Sequence, residues 1–295
     1  QRNKVLIPAV SFIATVNSVL EAGYDPVFCD VDAVTGLIDL NKIPVPLEEL
    51  AAVVYVNLYG NIIDYDKLTA FKAIWDQYDI PVIEDAAQSF GAYYRGHPSG
   101  KLGDISILSF DPTKNLNNYG SGGMVLTDDP DIVDAVADYH NNGKYGDHMA
   151  PGTNSRMSEA DCAQMLVKLK YFDSWQKRRR EIADYYTDQL SGVGGICTIP
   201  VEEHVEHSWH KYAIHVQHRN NFQQRMEEAG VETKLHYARP LHLYPVSYIY
   251  AIEHNLGVLN GAEDFCKTTV SLPIYPELSD MEVETVIDSV IASIS

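Results

Sequence analysis

The first 130 residues switch repeatedly between short β-rich runs and helical stretches, and this alternation restricts the fold more than any other feature. KVLIP (4–8) reads as a strand, SFIATVNSVLEAG as a helix opened by Ser11 and closed by Gly23, and PVFCDVD (26–32) and AAVVYVN (51–57) as strands. Between Asp64 and Asp79, Leu68, Phe71, Ile74 and Trp75 recur at helical spacing. PVIED, SILSF (106–110) and GGMVLTDD (122–129) complete the strands of this half. Strands separated by helices predict an α/β fold: a mostly parallel sheet flanked by helices. Beyond it, Met157 to Leu190 reads as one long helix, followed by a mixture of strands such as HKYAIHV (210–216) and helices such as NNFQQRMEEAG (220–230). The amphipathic DMEVETVIDSVIASI closes the chain. The expected organisation is a large domain over 1–170 and a smaller C-terminal α+β domain over 171–295.

Within that sheet, VIED (82–85) ends on two carboxylates, Glu84 and Asp85. An ionised carboxylate in a low-dielectric interior costs several kcal/mol unless a cation or several donors meet it. Open α/β sheets place ligands beyond the carboxyl ends of their strands. SILSF ends there too, and its continuation SFDPTKN supplies the Ser109 hydroxyl and the Lys114 amine. A ligand with a ring nitrogen, an aldehyde and a phosphate can use all three groups, and pyridoxal 5'-phosphate is such a ligand. In that reading Lys114 joins the aldehyde, Asp85 keeps the pyridine nitrogen protonated, and Ser109 donates to the phosphate. Spacing alone also fits a surface ion pair, the commoner use of two such residues.

The formal charge of −19 argues against nucleic-acid binding, which needs a basic surface, while leaving room for an anionic substrate in a locally basic cleft. No apolar run approaches the ~20 residues of a membrane span, and VLIPAV is too short for a signal peptide. Cys29, Cys162, Cys197 and Cys266 are scattered without metal or redox spacing, so idle thiols in a reducing compartment, and a cytoplasmic location, are expected. HVEHSWH (204–210) offers histidines at intervals of three, but an extended run does not gather such a repeat on one face, so no metal site is predicted. GSGG (120–123) lacks phosphate-loop spacing and is expected to be a turn passing close to Lys114. KRRRE (177–181) reads as the solvated face of its helix.

The ordered segments VIEDAAQSFGAYYRG, GDISILSFDPTKNLNNYGSGGMVLTDD, TNSRMSEADCAQMLVKLKYFDSW, HYARPLHLYP and LPIYPELSDMEVE resemble the DegT/DnrJ family. The likeness begins at VLIPAVSFIATVNSVLEAGYDPVFCDVD and runs to the C-terminus. These are sugar-nucleotide aminotransferases of the aspartate aminotransferase fold (type I). The resemblance implies an enzyme that uses pyridoxal phosphate to move an amino group from an amino acid, glutamate being the expected donor, to a nucleotide-linked keto-sugar.

Carried over residue by residue, the resemblance makes Lys114 the cofactor-linked lysine and Asp85 the partner of the pyridinium. Gln88 falls beside the ring hydroxyl, Ser109 on the phosphate, Phe12 on one face of the ring and Ala87 on the other. His236 and Tyr237 fall near the substrate pocket. Asn154, in TNSRM, matches an asparagine that reaches the phosphate of the neighbouring subunit's cofactor, implying a homodimer with two shared sites. Plainer readings stand beside these: Phe12 as the core face of a helix, Asn154 as a helix cap or turn former, Gln88 as a helix-start residue, and His236 and Tyr237 as a surface loop. Relatives that dehydrate carry histidine in place of the lysine, so Lys114 points to transamination. Dehydration or epimerisation on the same cofactor and a catalytically inactive sugar-nucleotide-binding homologue are the alternatives. The family also carries a longer N-terminal segment with a Ser-Gly-Thr phosphate-binding turn, for which this sequence, starting at Gln1, has no counterpart. The expectation is either a longer gene product or a protein short of a phosphate anchor, each charged hydrogen bond lost being worth ~1.5–3 kcal/mol. Asn57 stands where histidine is common, and His140 where arginine is common.

Overall fold

A computed structural model describes residues 2–254 and 256–294. Strand β1 (Lys4–Pro8) leads through helix α1 (Ala14–Glu21) to β2 (Asp25–Cys29) and β3 (Leu50–Val56). Helix α2 (Tyr65–Trp75) then returns the chain to β4 (Val82–Asp85). After the short strands β5 (Tyr93–Tyr94) and β6 (His97–Pro98) come β7 (Ile105–Ser109), β8 (Gly123–Thr127), α3 (Pro130–Tyr139) and the long α4 (Glu159–Leu190). The remainder comprises β9 (Ile196–Thr198), β10 (Val205–Glu206), β11 (Tyr212–Val216), α5 (Arg219–Glu228), α6 (Tyr248–Glu253), α7 (Asn260–Thr268), β12 (Thr269–Leu272) and α8 (Asp280–Ile294).

Six strands form the main sheet in the order β2-β1-β3-β4-β7-β8, parallel except for the β7–β8 pair. Alternation along each strand feeds two cores. Val5 and Ile7 of β1 join Val16 and Val19 of α1 and Phe265 of α7 on one face, while Leu6 joins Leu68 and Trp75 of α2 on the other. A second, antiparallel sheet, β12-β11-β9, packs with α5, α8 and the later turns of α4 around its own buried cluster. The fold is therefore the expected mostly parallel sheet flanked by helices, with a smaller C-terminal α+β part. Ala213, Leu241, Ala262 and Phe265 of the C-terminal half enter the core of the main sheet. A third small sheet joins β10 to the β5–β6 hairpin.

Two local expectations need correction. Helix α1 starts at Ala14 rather than Ser11, so Phe12 precedes the helix and is 55% exposed instead of filling a core face. KRRRE is not wholly solvated: Arg179 is buried and donates to the carbonyls of Trp209 (3.0 Å) and Ile274 (2.9 Å).

Candidate active site

The sheet order reverses beside β1, whose following strands β2 and β3 flank it, and ligand sites of open α/β sheets form at such a reversal. The carboxyl ends of β1, β3, β4 and β7 bring forward Ser11 and Phe12, Asn57, Asp85, and Ser109 respectively. The two carboxylates of VIED separate here. Glu84 is fully buried, and its Oε1 accepts from Asn57 Nδ2 (2.8 Å), Ser99 Oγ (2.7 Å) and the Gly100 N–H (2.9 Å). Its Oε2 accepts from the Leu102 N–H (2.9 Å) and Ser106 Oγ (2.8 Å). The protein satisfies this acid completely. Asn57 thus has a structural task of its own, and its N–H also donates to the Asp85 carbonyl at 3.2 Å.

Asp85 receives far less. Its Oδ2 accepts from Thr15 Oγ1 and its Oδ1 from the Ala87 N–H, each at 3.1 Å. Burial raises its pKa, against the opposing pull of those two donors and of the Lys114 charge. Lys114 sits in the loop after β7, half-buried, with no hydrogen bond or ion pair from its amine among the described residues. Burial lowers its pKa, and the charges of Asp85 and Asp111 pull it back up. A buried acid with two donors among the described residues and a desolvated amine with none among them are groups prepared for a ligand. Asp85 suits a protonated ring nitrogen and Lys114 an aldehyde, so the residues present fit pyridoxal phosphate.

The surrounding residues fall as follows. Gln88 is buried; its Oε1 accepts the Tyr59 N–H (2.9 Å) and its Nε2 donates to the Tyr237 hydroxyl (3.1 Å). Tyr237 in turn lies 6.1 Å from Phe12, ring centroid to ring centroid. Tyr237 therefore joins the Asp85 turn and the loop after β1, whereas its neighbour His236 shares a hydrogen bond with Ser271 Oγ at 2.9 Å. Burial, reinforced by Lys211, Lys114 and Lys234, pushes His236 down to about 4. Ala87 is half-buried between Asp85 and Gln88. Ser109 Oγ accepts from the Asp111 N–H at 3.3 Å, leaving its own proton free to be donated. Asn154 is not part of this group: it is exposed and pairs in an isolated β-bridge with Asn141.

Gly122 and Gly123 of GSGG lie against Met157 and the Leu108 carbonyl of β7. The three histidines diverge: His204 meets the Tyr94 ring, His207 stacks on Trp209, and His210 Nδ1 lies 3.3 Å from Asn115 Oδ1. Burial drives His207 to about 3 and His210 well below its ordinary value. Thr15, with Ser11 behind it at 2.9 Å, is a site residue that sequence reading missed. A hydroxyl one helical turn after Ser11, at the carboxyl edge of β1, was the available signal.

A doubly wound sheet with a carboxylate and an amine at adjacent strand ends defines a fold-type-I pyridoxal-phosphate transferase. Residues 1–291 match the DegT/DnrJ/EryC1/StrS aminotransferase family, and the chain belongs to that family. It is 36% identical to a pleiotropic regulatory protein of Geobacillus stearothermophilus, over 98% of this chain and 77% of that one. It is 33% identical to the dTDP-3-amino-3,4,6-trideoxy-alpha-D-glucose transaminase of Streptomyces venezuelae, over 98% and 76%. The crystal structure of S. venezuelae DesV in complex with a ketimine intermediate superposes with a TM-score of 0.89 at 32% identity, covering 98% of this chain and 78% of that one.

Proposed function

We propose that this protein moves an amino group from an amino acid, glutamate being the expected donor, to a nucleotide-linked keto-sugar. The observation that carries the reading is the juxtaposition of Asp85, buried with two donors, and Lys114, desolvated with none. Relatives named as transaminases of dTDP- and UDP-linked sugars support the sugar half of the reaction.

Pyridoxal phosphate, when bound, supplies an aldehyde to take up the amine and a ring that withdraws electrons from the carbon losing its proton. Asp85, kept in place by Thr15 and the Ala87 N–H, would hold a proton on the ring nitrogen. Burial leaves Lys114 a larger neutral fraction than an exposed lysine has, so it can take a proton from the donor carbon and return it. Phe12, Ala87 and Gln88 would hold the cofactor's ring, and Ser109, whose own proton is free, would donate to its phosphate. Tyr237 and His236 border the substrate side. Asn154, exposed and bridged to Asn141, fits a role toward a second copy of the chain in a homodimer with shared sites. The same reading places a cofactor-binding unit in residues 1–170, a smaller one in 171–295, and the reaction in the cytoplasm. No helix among the described residues is long and apolar enough to cross a membrane.

The test follows ¹⁵N from labelled glutamate into a nucleotide-linked amino sugar. Transfer that disappears in Lys114→Ala supports the proposal. Cofactor uptake without transfer to any keto-sugar tried would favour dehydration or epimerisation instead.

A further inference from the structure

A cavity of about 430 Å³ lies against the smaller sheet, its wall including Lys211, Lys234, His236, Ser271, Glu232 and Glu282. Most of these groups are already matched. Glu232 is ion-paired with Lys234, and Glu282 accepts from the Ser279 N–H (2.8 Å) and hydroxyl (2.7 Å). His236 is neutral and bonded to Ser271. Lys211 is left over. It is half-buried, and its amine has no hydrogen bond or ion pair among the described residues.

Its position is tied to the active site by the backbone. The N–H groups of His210 (2.8 Å) and Lys211 (3.3 Å) both donate to the Tyr59 carbonyl. The Tyr59 N–H is itself held by Gln88. The charged and titratable groups facing Lys211 are Lys114 and Asp111 from the loop after β7, Arg179 from α4, and the histidines His210 and His236. Burial and the two cations outweigh Asp111 and push Lys211 down to about 8. A desolvated ammonium beside two other cations is costly unless an anion joins it. That such a cluster persists in a chain of net charge −19 marks the place where a negative ligand group belongs.

We propose that Lys211 binds a carboxylate of a dicarboxylic amino-acid donor and so directs the donor's amine toward Lys114. The proposal rests on the transaminase reading and adds to it a residue that selects the donor. A phosphate, from the sugar nucleotide or from the cofactor, is the other anion such an amine could hold, and the test separates the sources.

Cofactor-loaded wild type, Lys211→Met and Lys211→Arg are titrated calorimetrically with glutarate, a dicarboxylate that cannot react, and with pyrophosphate. Cofactor affinity is measured separately on each. Lys211→Met should weaken glutarate binding roughly ten- to a hundredfold, the loss of one charged hydrogen bond. Pyrophosphate and cofactor affinities should stay unchanged, and Lys211→Arg should recover most of the loss. Glutarate affinity of the wild type should also fall as pH rises through the Lys211 pKa, which burial holds below the ordinary lysine value, and that of Lys211→Arg should not. Unchanged glutarate affinity in Lys211→Met, or a loss that appears instead for pyrophosphate or cofactor, overturns the proposal. Failure of the underlying reading looks different: the wild type takes up no pyridoxal phosphate before glutarate is added, and both ideas go.

Discussion

Replacing Glu84 by glutamine tests how the site is held open. The carboxylate sits near the end of β4 and gathers five donors from three segments, including Asn57, whose N–H also fixes the Asp85 carbonyl. Glutamine best keeps its oxygen toward Asn57, Ser99 and Gly100, which turns its NH₂ toward Leu102 and Ser106. The Ser106 hydroxyl can rotate to accept, but the Leu102 N–H cannot, and a buried unpaired donor costs about 1–3 kcal/mol. The other three bonds lose their charge, at about 1 kcal/mol each. Part of this is offset because the amide is cheaper to desolvate than the carboxylate. The net loss is about 2–4 kcal/mol, read as a lower urea midpoint with an unchanged m-value. Cofactor affinity should fall as well, because Asp85 loses its fixed frame. A midpoint shift worth less than about 0.5 kcal/mol, within the range of an ordinary surface substitution, would refute the claim that this ring pins the strand ends.

Three further outcomes are expected. Thr15→Val removes the hydroxyl from Asp85 Oδ2, so the carboxyl titrates higher and the acid limb of cofactor binding moves to higher pH; a superimposable pH profile would count against Thr15. Because burial raises the Asp85 pKa, the folded cofactor-free protein loses stability as pH rises from the ordinary aspartate value of ~3.9, and the penalty is complete above the raised value. Asp85→Asn should therefore unfold at higher urea than wild type at neutral pH, with the gap closing below pH ~3.9, while binding cofactor more weakly; equal midpoints at neutral pH would contradict this. Arg179→Met leaves the Trp209 and Ile274 carbonyls unpaired and should cost about 2–4 kcal/mol in thermal or urea unfolding, whereas Lys177→Ala, on the exposed face, should cost less than about 0.5 kcal/mol.

The central part of the main sheet was legible because β1 to β4 are buried on both faces and write nearly continuous apolar runs, whereas β7 and β8, partly exposed, were read from their alternation and the turn residues around them. KVLIP has the observed limits, and the other five runs agree to within three residues at either end. Departures cluster where side chains serve the site. At Ser11–Ile13 the hydroxyl points back toward Thr15 while the Phe12 ring turns outward, so the helix begins later than its apolar pattern suggests. Helix α3 was overlooked although Asp129 caps it, Pro130 sits in its first turn and Ile132, Val133, Val136 and Tyr139 recur at helical spacing, so its signals were present in the sequence. Two-residue strands such as β5, β6 and β10 carry too little pattern to read. Asp85, Ser109 and Lys114 were visible as strand-end chemistry, whereas Lys211 was hidden inside an ordinary strand run. Only the fold shows that its amine has no partner among the described residues.

The most direct measurement incubates the protein with pyridoxal phosphate, reduces the lysine-linked cofactor with borohydride and maps the added mass to a peptide. The added mass is predicted on Lys114, with the visible absorbance of the loaded protein lost in Lys114→Ala and retained in Lys211→Met. Lys211, a second lysine whose pKa is lowered by burial, is the rival attachment point. Mass on Lys211, or on no lysine at all, would contradict the account.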